Sequence, residues 1–365
     1  MQLLDLLKHM VEISASDIYI TSGCPPMYRV DGVTQPWGDK KFSDDEAKAL
    51  TDSTMRPEQL KEFYETFEMN LALAYDNLGR FRVSAFRQQG RIGMVIRQIK
   101  TTILTLDQLG LPRVLKNIIM SKRGLVMVVG ATGSGKSTTL AAMTDYRNTN
   151  SPGHIISIED PIEFIYEHKM SVVTQREVGI DTMSFKSALK NTLRQAPDVI
   201  ILGEIRDTET MEMALEFAET GHLCLCTLHA NNANQAIERV MNFFDQERHR
   251  QFYMQLSLNM KAIISQRLVR SSNGKRVAAI EILMDSPRVK DLILQGAVGD
   301  LKEAMDKGRD DGMVTFDNSL FDLWKSGLIS GDDALANADS ANNLRLQMKV
   351  ENVKLDGEAK LKLKI

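Results

Sequence analysis

Apolar residues alternate with polar ones along the chain in two distinct textures. In the first hundred residues the pattern is mixed. Leu3, Leu4, Leu6, Leu7, Met10 and Val11 recur at helical spacing. Asp17-Ile18-Tyr19-Ile20-Thr21 reads as a strand, Gly23-Cys24-Pro25-Pro26 as a turn, and Met27–Val30 as a second strand closed by Asp31-Gly32. Ser43 caps a predicted helix, with Glu46 three residues on. Residues 80–97 read as two strands around Gln88-Gln89-Gly90. From Gly124 the texture changes to short, wholly apolar runs separated by helix-like stretches: Leu125–Val129, Ile155–Ile158, Val199–Leu202 and Leu223–Leu228. Strands that apolar are buried on both faces, which predicts a parallel sheet covered by helices. The fold class is therefore α/β, a small α+β domain followed by a parallel-sheet core. The expected boundaries are 1–100 for the first domain, 101–114 for a linker, 115–285 for the core and 286–339 for a helical region. Residues 340–365 form a polar tail, either disordered or a docking segment. The alternation in Leu361-Lys362-Leu363-Lys364-Ile365 would suit an edge strand added to a partner.

The first chemistry-bearing motif sits where a core strand ends. Gly130-Ala131-Thr132-Gly133-Ser134-Gly135-Lys136-Ser137 matches G-x-x-x-x-G-K-[ST], between the strand Leu125–Val129 and the helix-compatible run Thr138–Tyr146. Its glycines let backbone N–H groups close around phosphates, and the following helix N-terminus faces the negative charge. Lys136 should reach the β- and γ-phosphates of ATP, and the Ser137 hydroxyl should hold Mg²⁺. Two further strands end in acids. Ile155–Ile158 runs into Glu159-Asp160-Pro161-Ile162-Glu163, and Val199–Leu202 into Gly203-Glu204-Ile205-Arg206-Asp207. The carboxyl ends of strands in an open α/β sheet form the ligand crevice, so both groups should face the phosphates.

Thr220-Gly221-His222-Leu223-Cys224-Leu225-Cys226-Thr227-Leu228-His229 alternates His and Cys. Residues two apart on a strand are roughly 6.6 Å apart, too far to share one zinc ion. The cysteines read as core. The histidines at the strand's ends either are satisfied by hydrogen bonds or sense the γ-phosphate. Arg80, Arg82, Arg87, Arg91 and Arg97 fall within one stretch that holds no acid. That stretch is a solvated basic face, a weak nucleic-acid groove, or a source of arginine supplied to a neighbouring subunit's phosphate.

Composition narrows the class. The chain has 365 residues, a formal net charge of −3, 43% hydrophobic and 25% charged residues, as in soluble globular proteins. No apolar run approaches the roughly 20 residues a membrane helix needs. Asp5 and Lys8 interrupt what would be a signal-peptide core. Three cysteines argue against a disulfide framework and for a reducing compartment. The slight negative charge disfavours a ring ATPase that moves nucleic acid.

Taken together, the P-loop, the 158–163 segment, the 203–207 segment and the 220–229 segment resemble, in order and spacing, the Walker A, Asp box, Walker B and His box of secretion-superfamily ATPases. The chain is most similar to type IV pilus retraction ATPases of the PilT/PilU family, closest to its PilU members. The resemblance extends from Ser16-Asp17-Ile18 to about Met305. It implies an N-terminal PAS-like domain, a RecA-like ATPase core, nucleotide between them, and a homo-hexameric motor. It also implies roles. Gly130, Thr132, Gly133, Ser134, Gly135, Lys136, Ser137 and Thr138 bind nucleotide; Ser137 and Glu204 support Mg²⁺. Glu163 polarises the attacking water, with Glu204, His222, His229, Arg82 and Arg97 completing the catalytic set. Glu159, Asp160, Arg194 and Arg206 are further charge contacts. Implied partners are a PilT-like paralogous ATPase and a PilC-like platform protein of the inner membrane, with no nucleic acid and no zinc. The expected location is cytoplasmic, peripheral at that membrane. The zinc-binding tetracysteine segment of the assembly and secretion branches is impossible with only Cys24, Cys224 and Cys226. The PilT-like motif Ala-Ile-Arg-Asn-Leu-Ile-Arg-Glu is replaced by Arg288-Val289-Lys290-Asp291-Leu292-Ile293-Leu294-Gln295-Gly296. Tyr19 stands where many relatives have a histidine, and the tail is longer than in short PilT-like members. These departures leave a second role open, as an accessory nucleotide-binding subunit of a PilT-like motor.

Overall fold

The computed structural model describes residues 2–76, 78–99 and 102–362. Two compact units emerge. One comprises residues 1–102 with two excursions, Ile162–Ile165 and Glu177–Met183; the other holds the remainder. The span expected as one continuous core is thus interrupted twice. The first begins shortly after the strand that ends at Glu159, and the second at the last residue of the strand that ends at Glu177.

The first unit begins with α1 (Leu3–Glu12), whose Leu6, Leu7 and Met10 are buried. The strands β1 (Asp17–Thr21), β2 (Met27–Val30) and β3 (Val33–Pro36) follow, then the helices α2 (Asp44–Asp52) and α3 (Pro57–Thr66). The strands β4 (Glu68–Tyr75), β5 (Gly79–Gln88) and β6 (Arg91–Ile99) complete a sheet in the order β3-β2-β1-β6-β5-β4. The two tight hairpins have the residues their turns require. Asp31-Gly32 and Gln89-Gly90 both take positive φ at both central positions, which matches the right-handed twist of the flanking strands. Ser43 and Glu46 form a reciprocal capping box at the start of α2. The core gathers Ile18, Ile20, Tyr28, Phe63, Phe81, Val83 and Ile96.

The second unit opens with α4 (Val114–Ile119), β7 (Gly124–Val129), α5 (Lys136–Asn150), β8 (Gly153–Glu159), β9 (Ser171–Glu177), α6 (Phe185–Thr192) and β10 (Val199–Leu202). It continues with α7 (Thr208–Glu219), β11 (Leu223–Leu228), α8 (Ala233–Met241), α9 (His249–Asn259), β12 (Met260–Arg270) and β13 (Arg276–Met284). The sheet order is β13-β12-β7-β11-β10-β8-β9. β12, β7, β11, β10 and β8 run parallel, and β13 turns back antiparallel to β12. Every residue of β7, β10 and β11 is buried, as the uninterrupted apolar runs predicted. Cys224 and Cys226 lie in this core, and burial pushes the Cys226 thiol up to about 12.

The helices α10 (Pro287–Leu294), α11 (Leu301–Lys307), α12 (Phe316–Lys325), α13 (Gly331–Asn337) and α14 (Ala341–Lys362) close the chain. The tail expectation is corrected here. Ala341–Lys362 is a helix, and its Leu344 and Met348 pack on Phe316, Leu320 and Ala334. Leu361 and Lys362 are helical, not an edge strand, and residues 363–365 lie outside the described residues. Apolar positions 344 and 348 are four apart, the spacing of a helix face, which the polar background obscured.

Candidate active site

The phosphate cradle forms where β7 passes into α5. Gly130 follows β7 directly, and Lys136 is the first residue of α5. A Cβ at Gly130 would collide with Ser134 Oγ and stand 2.6 Å from Gln266 O. Gly135 has φ +91°, and a Cβ there would stand 2.6 Å from Gln266 Nε2. Gly130 and Gly135 are therefore demanded by close approach, whereas Gly133, with open space around it, is favoured by its φ of +76°. Ser134 Oγ is buried inside the loop without a partner. Lys136 Nζ donates to Gly130 O at 2.8 Å and Ala131 O at 3.0 Å, and lies 3.5 Å from His229 Nδ1. Burial lowers the pKa of this ammonium, and the charge of Glu204 opposes the shift.

A polar chain leads away from Lys136 along the carboxyl edge of the sheet. His229 Nε2 is 3.1 Å from Glu204 Oε1. The other oxygen of Glu204 accepts from Arg206 Nε at 2.9 Å. Arg206 Nη1 lies 3.4 Å from Asp160 Oδ2. Glu159 Oε1 accepts from Ser157 Oγ at 2.7 Å and from Gln175 Nε2 at 3.3 Å. Gly203 permits this crowding, because a Cβ there would meet Glu159 Cα at 3.1 Å. Thr227 Oγ1 donates to Gly203 O and fixes the turn before Glu204. The sheet order explains the gathering. β11 lies between β7 and β10, so the loops after all three strands open on one edge.

Arg82, Arg97 and Glu163 belong to the first unit. Arg82 pairs with Arg97 across β5 and β6. Arg97 Nε donates to the buried Asp17 Oδ1 at 2.7 Å, and this bond is the foremost cause of its raised pKa. The carboxylate of Glu163 adds to the same shift, which puts it near Arg97. Glu177 accepts from Ile162 N at 3.1 Å and feels the charges of Arg82 and Arg80.

Two sequence candidates do not join the cradle. His222 precedes β11, and its carbonyl accepts from Gly124 N at the start of β7. Its ring Nδ1 lies 3.1 Å from Thr220 Oγ1 and 3.2 Å from Phe217 O. Extended strand rises about 3.3 Å per residue, which leaves His222 roughly 20 Å from His229, at the opposite edge of the sheet. Arg194 is on that same far edge, in the short turn Leu193–Gln195 ahead of β10. Gln195 O there contacts His154 Nδ1 at the beginning of β8. A motif that brackets a strand names both ends of it, and only one end meets the P-loop. His222→Gln should accordingly leave nucleotide affinity within about twofold of wild type, measured by titrating a fluorescent ATP analogue. A loss above tenfold would bring His222 to a nucleotide held by another copy.

One participant escaped the sequence reading. Gln266 of β12 accepts at Oε1 from Thr139 Oγ1 of α5 at 2.6 Å and packs its amide against Gly135. Its signal was a polar pair, Ser265-Gln266, inside the apolar run of β12. Beside it, a cavity of about 300 Å³ is lined by Thr132, Ser134, Asn231, Arg267, Leu268 and Arg276 among others.

The family model described as type II/IV secretion system protein matches residues 3–309. The chain is 54% identical over 346 residues to the type IV pilus ATPase PilU of Pseudomonas aeruginosa, which covers 94% of this chain and 91% of that protein. It is 41% identical to the type IV pilus retraction ATPase PilT of the same organism, covering 94% and 100%. A crystal structure of the pilus retraction motor PilT with bound ADP superposes with a TM-score of 0.87 at 38% identity, covering 93% of this chain and 98% of that one. With a P-loop closed by Gly130 and Gly135 and an acid at the end of the second strand over, the chain is an ATPase that belongs to the type II/IV secretion system protein family.

Proposed function

We propose that the chain is the subunit of a homo-hexameric ring motor that hydrolyses ATP to disassemble type IV pili. The observation that carries this reading is the 54% identity to PilU across nearly the whole chain, with Lys136, Glu204 and His229 assembled at one sheet edge. The oxygen donors at this edge suit a magnesium ion, a hard cation that keeps several waters and takes few protein ligands. The Ser137 hydroxyl and the Glu204 carboxylate would hold it. Bound with ATP, it would neutralise charge on the β- and γ-phosphate oxygens. Lys136 would shift its donors from Gly130 O and Ala131 O to those phosphates. His229 would orient Glu204, and Arg206 would hold its other oxygen. On the family resemblance alone, Glu163 is the candidate to orient the attacking water, with Arg82 and Arg97 as charge donors.

The sheet order β2-β1-β6-β5-β4 with flanking helices supports a PAS-like reading of the first unit. The order β12-β7-β11-β10-β8, with one strand between the P-loop strand and the acid-bearing strand, supports a RecA-like reading of the second. No helix among the described residues is long and apolar enough to cross a membrane. We place the motor at the cytoplasmic face of the inner membrane through a platform protein of the pilus machinery.

A second reading has its own support: Arg288–Gly296 does not reproduce the arginines of the PilT-like motif. It makes the chain an accessory ATPase beside a PilT-like motor. The two readings separate in a piliated bacterium lacking its own retraction ATPases, with labelled pili followed by microscopy. Expression of the chain alone is expected to restore retraction if it is a complete motor. Retraction only when a PilT-like ATPase is also present selects the accessory reading. No retraction under either condition overturns the pilus assignment.

A further inference from the structure

Glu281 is a carboxyl group at the centre of a sheet, fully buried on β13. Its neighbours along the β12–β13 ladder are the apolar or neutral pairs Ile264–Ile282 and Gln266–Ile280. Nothing in the packing asks for an acid there, and an acid in that position is costly unless something needs it. Two groups use it. Glu281 Oε1 accepts from Ala233 N at 2.7 Å and from Ser265 Oγ at 2.9 Å. Oε2 is buried without a partner.

The two donors are informative. Ala233 is the first residue of α8, whose N–H groups have no partner within the helix. The short segment 230–232 separates it from His229. Ser265 pairs with Val129, the residue immediately before the P-loop. One carboxyl oxygen therefore ties the end of the His229 loop to the strand beside the phosphate cradle. Arg267 reinforces the same loop: its Nη2 donates to Asn231 O at 3.3 Å and to Asp339 Oδ1 at 2.6 Å.

We propose that Glu281 is a positioning residue for ATP hydrolysis, which sets His229 relative to Lys136 by anchoring the start of α8 to β12. The charged groups facing it are Asp339 and Lys302, which are bonded to each other, and Arg267, which is bonded to Asp339. Burial, foremost, pushes the Glu281 carboxyl up to about 7; the bonds from Ala233 N and Ser265 Oγ oppose it. The anchor changes strength over the pH range in which the carboxyl ionises, because a carboxylate accepts more strongly than a neutral oxygen.

The inference rests on the ATPase assignment, and wild-type activity in the same assay checks that assignment separately. Steady-state ATPase of the full chain would be measured from pH 6 to 8 for wild type, Glu281→Ala and Glu281→Gln, with melting curves. Glu281→Ala should lower kcat at least tenfold and leave the KM for ATP within about threefold. Glu281→Gln keeps an acceptor oxygen and should stay within threefold of wild type at pH 6. The wild-type to Glu281→Gln ratio of kcat should rise as pH increases through 7. An alanine variant that is folded and within twofold of wild type overturns the proposal. If the alanine variant does not fold, the glutamine profile decides, and a ratio constant from pH 6 to 8 overturns it.

Discussion

Lys136→Ala is expected to lower kcat/KM for ATP by about 10³-fold, the upper range for loss of one charge donor from a preorganised oxyanion-type site. The reasoning starts from where the ammonium sits. Its Nζ is held by two carbonyl oxygens of its own loop, Gly130 O and Ala131 O, with His229 Nδ1 beyond them. Those partners hold the charge at the mouth of the cradle, and burial has already stripped part of its hydration. A phosphate arriving there meets a poorly solvated cation, which strengthens their interaction. Alanine removes the charge and leaves no buried charge behind, so the fold should persist with an unchanged melting temperature. Lys136→Arg should not rescue activity. The planar guanidinium is a fork of fixed geometry and does not reproduce the compact point charge that Gly130 O and Ala131 O hold in place. ATPase assays on Lys136→Ala, Lys136→Arg and wild type provide the check; an alanine variant within tenfold of wild type sinks the role given to Lys136.

The features legible in the sequence were those carried by local spacing. The P-loop announced itself because close approach demands glycine at Gly130 and Gly135, and glycine is visible one residue at a time. The turns at Asp31-Gly32 and Gln89-Gly90 were legible for the same reason. The parallel sheet followed from strands apolar on both faces. What escaped was whatever depends on which strands become neighbours. Gln266 and Glu281 lie in strands far along the chain, and their roles appear only when β12 settles beside β7 and β13 beside β12. His222 shows the converse. Its place in a motif with His229 suggested a shared site, yet the strand between them carries the two histidines to opposite edges. The division of candidate residues between two units was equally invisible, because Glu163 sits in a short excursion from the core.

Glu204→Gln carries the other large expected effect, a fall in kcat of about 10²- to 10⁴-fold with nucleotide affinity changed only a few fold. Its contacts support a role other than that of a proton acceptor. One oxygen of Glu204 faces His229 Nε2 at 3.1 Å and the other accepts from Arg206 Nε at 2.9 Å. A carboxylate engaged on both oxygens is a poor base for an incoming water but a well-fixed negative charge. We therefore assign Glu204 to support of the divalent cation and Glu163 to orientation of the water. The amide would keep Glu204's shape and lose its charge. Its NH₂ would also face a donor, since Arg206 presents only N–H groups. On this assignment Glu204→Gln should need markedly more Mg²⁺ for half-maximal activity, whereas Glu163→Gln should lower kcat to a similar degree with wild-type Mg²⁺ dependence. Titrating ATPase activity with Mg²⁺ at saturating ATP separates the two. If Glu163→Gln shifts the Mg²⁺ requirement and Glu204→Gln does not, the roles are reversed, and the His229–Glu204–Arg206 chain becomes the path that takes up the proton.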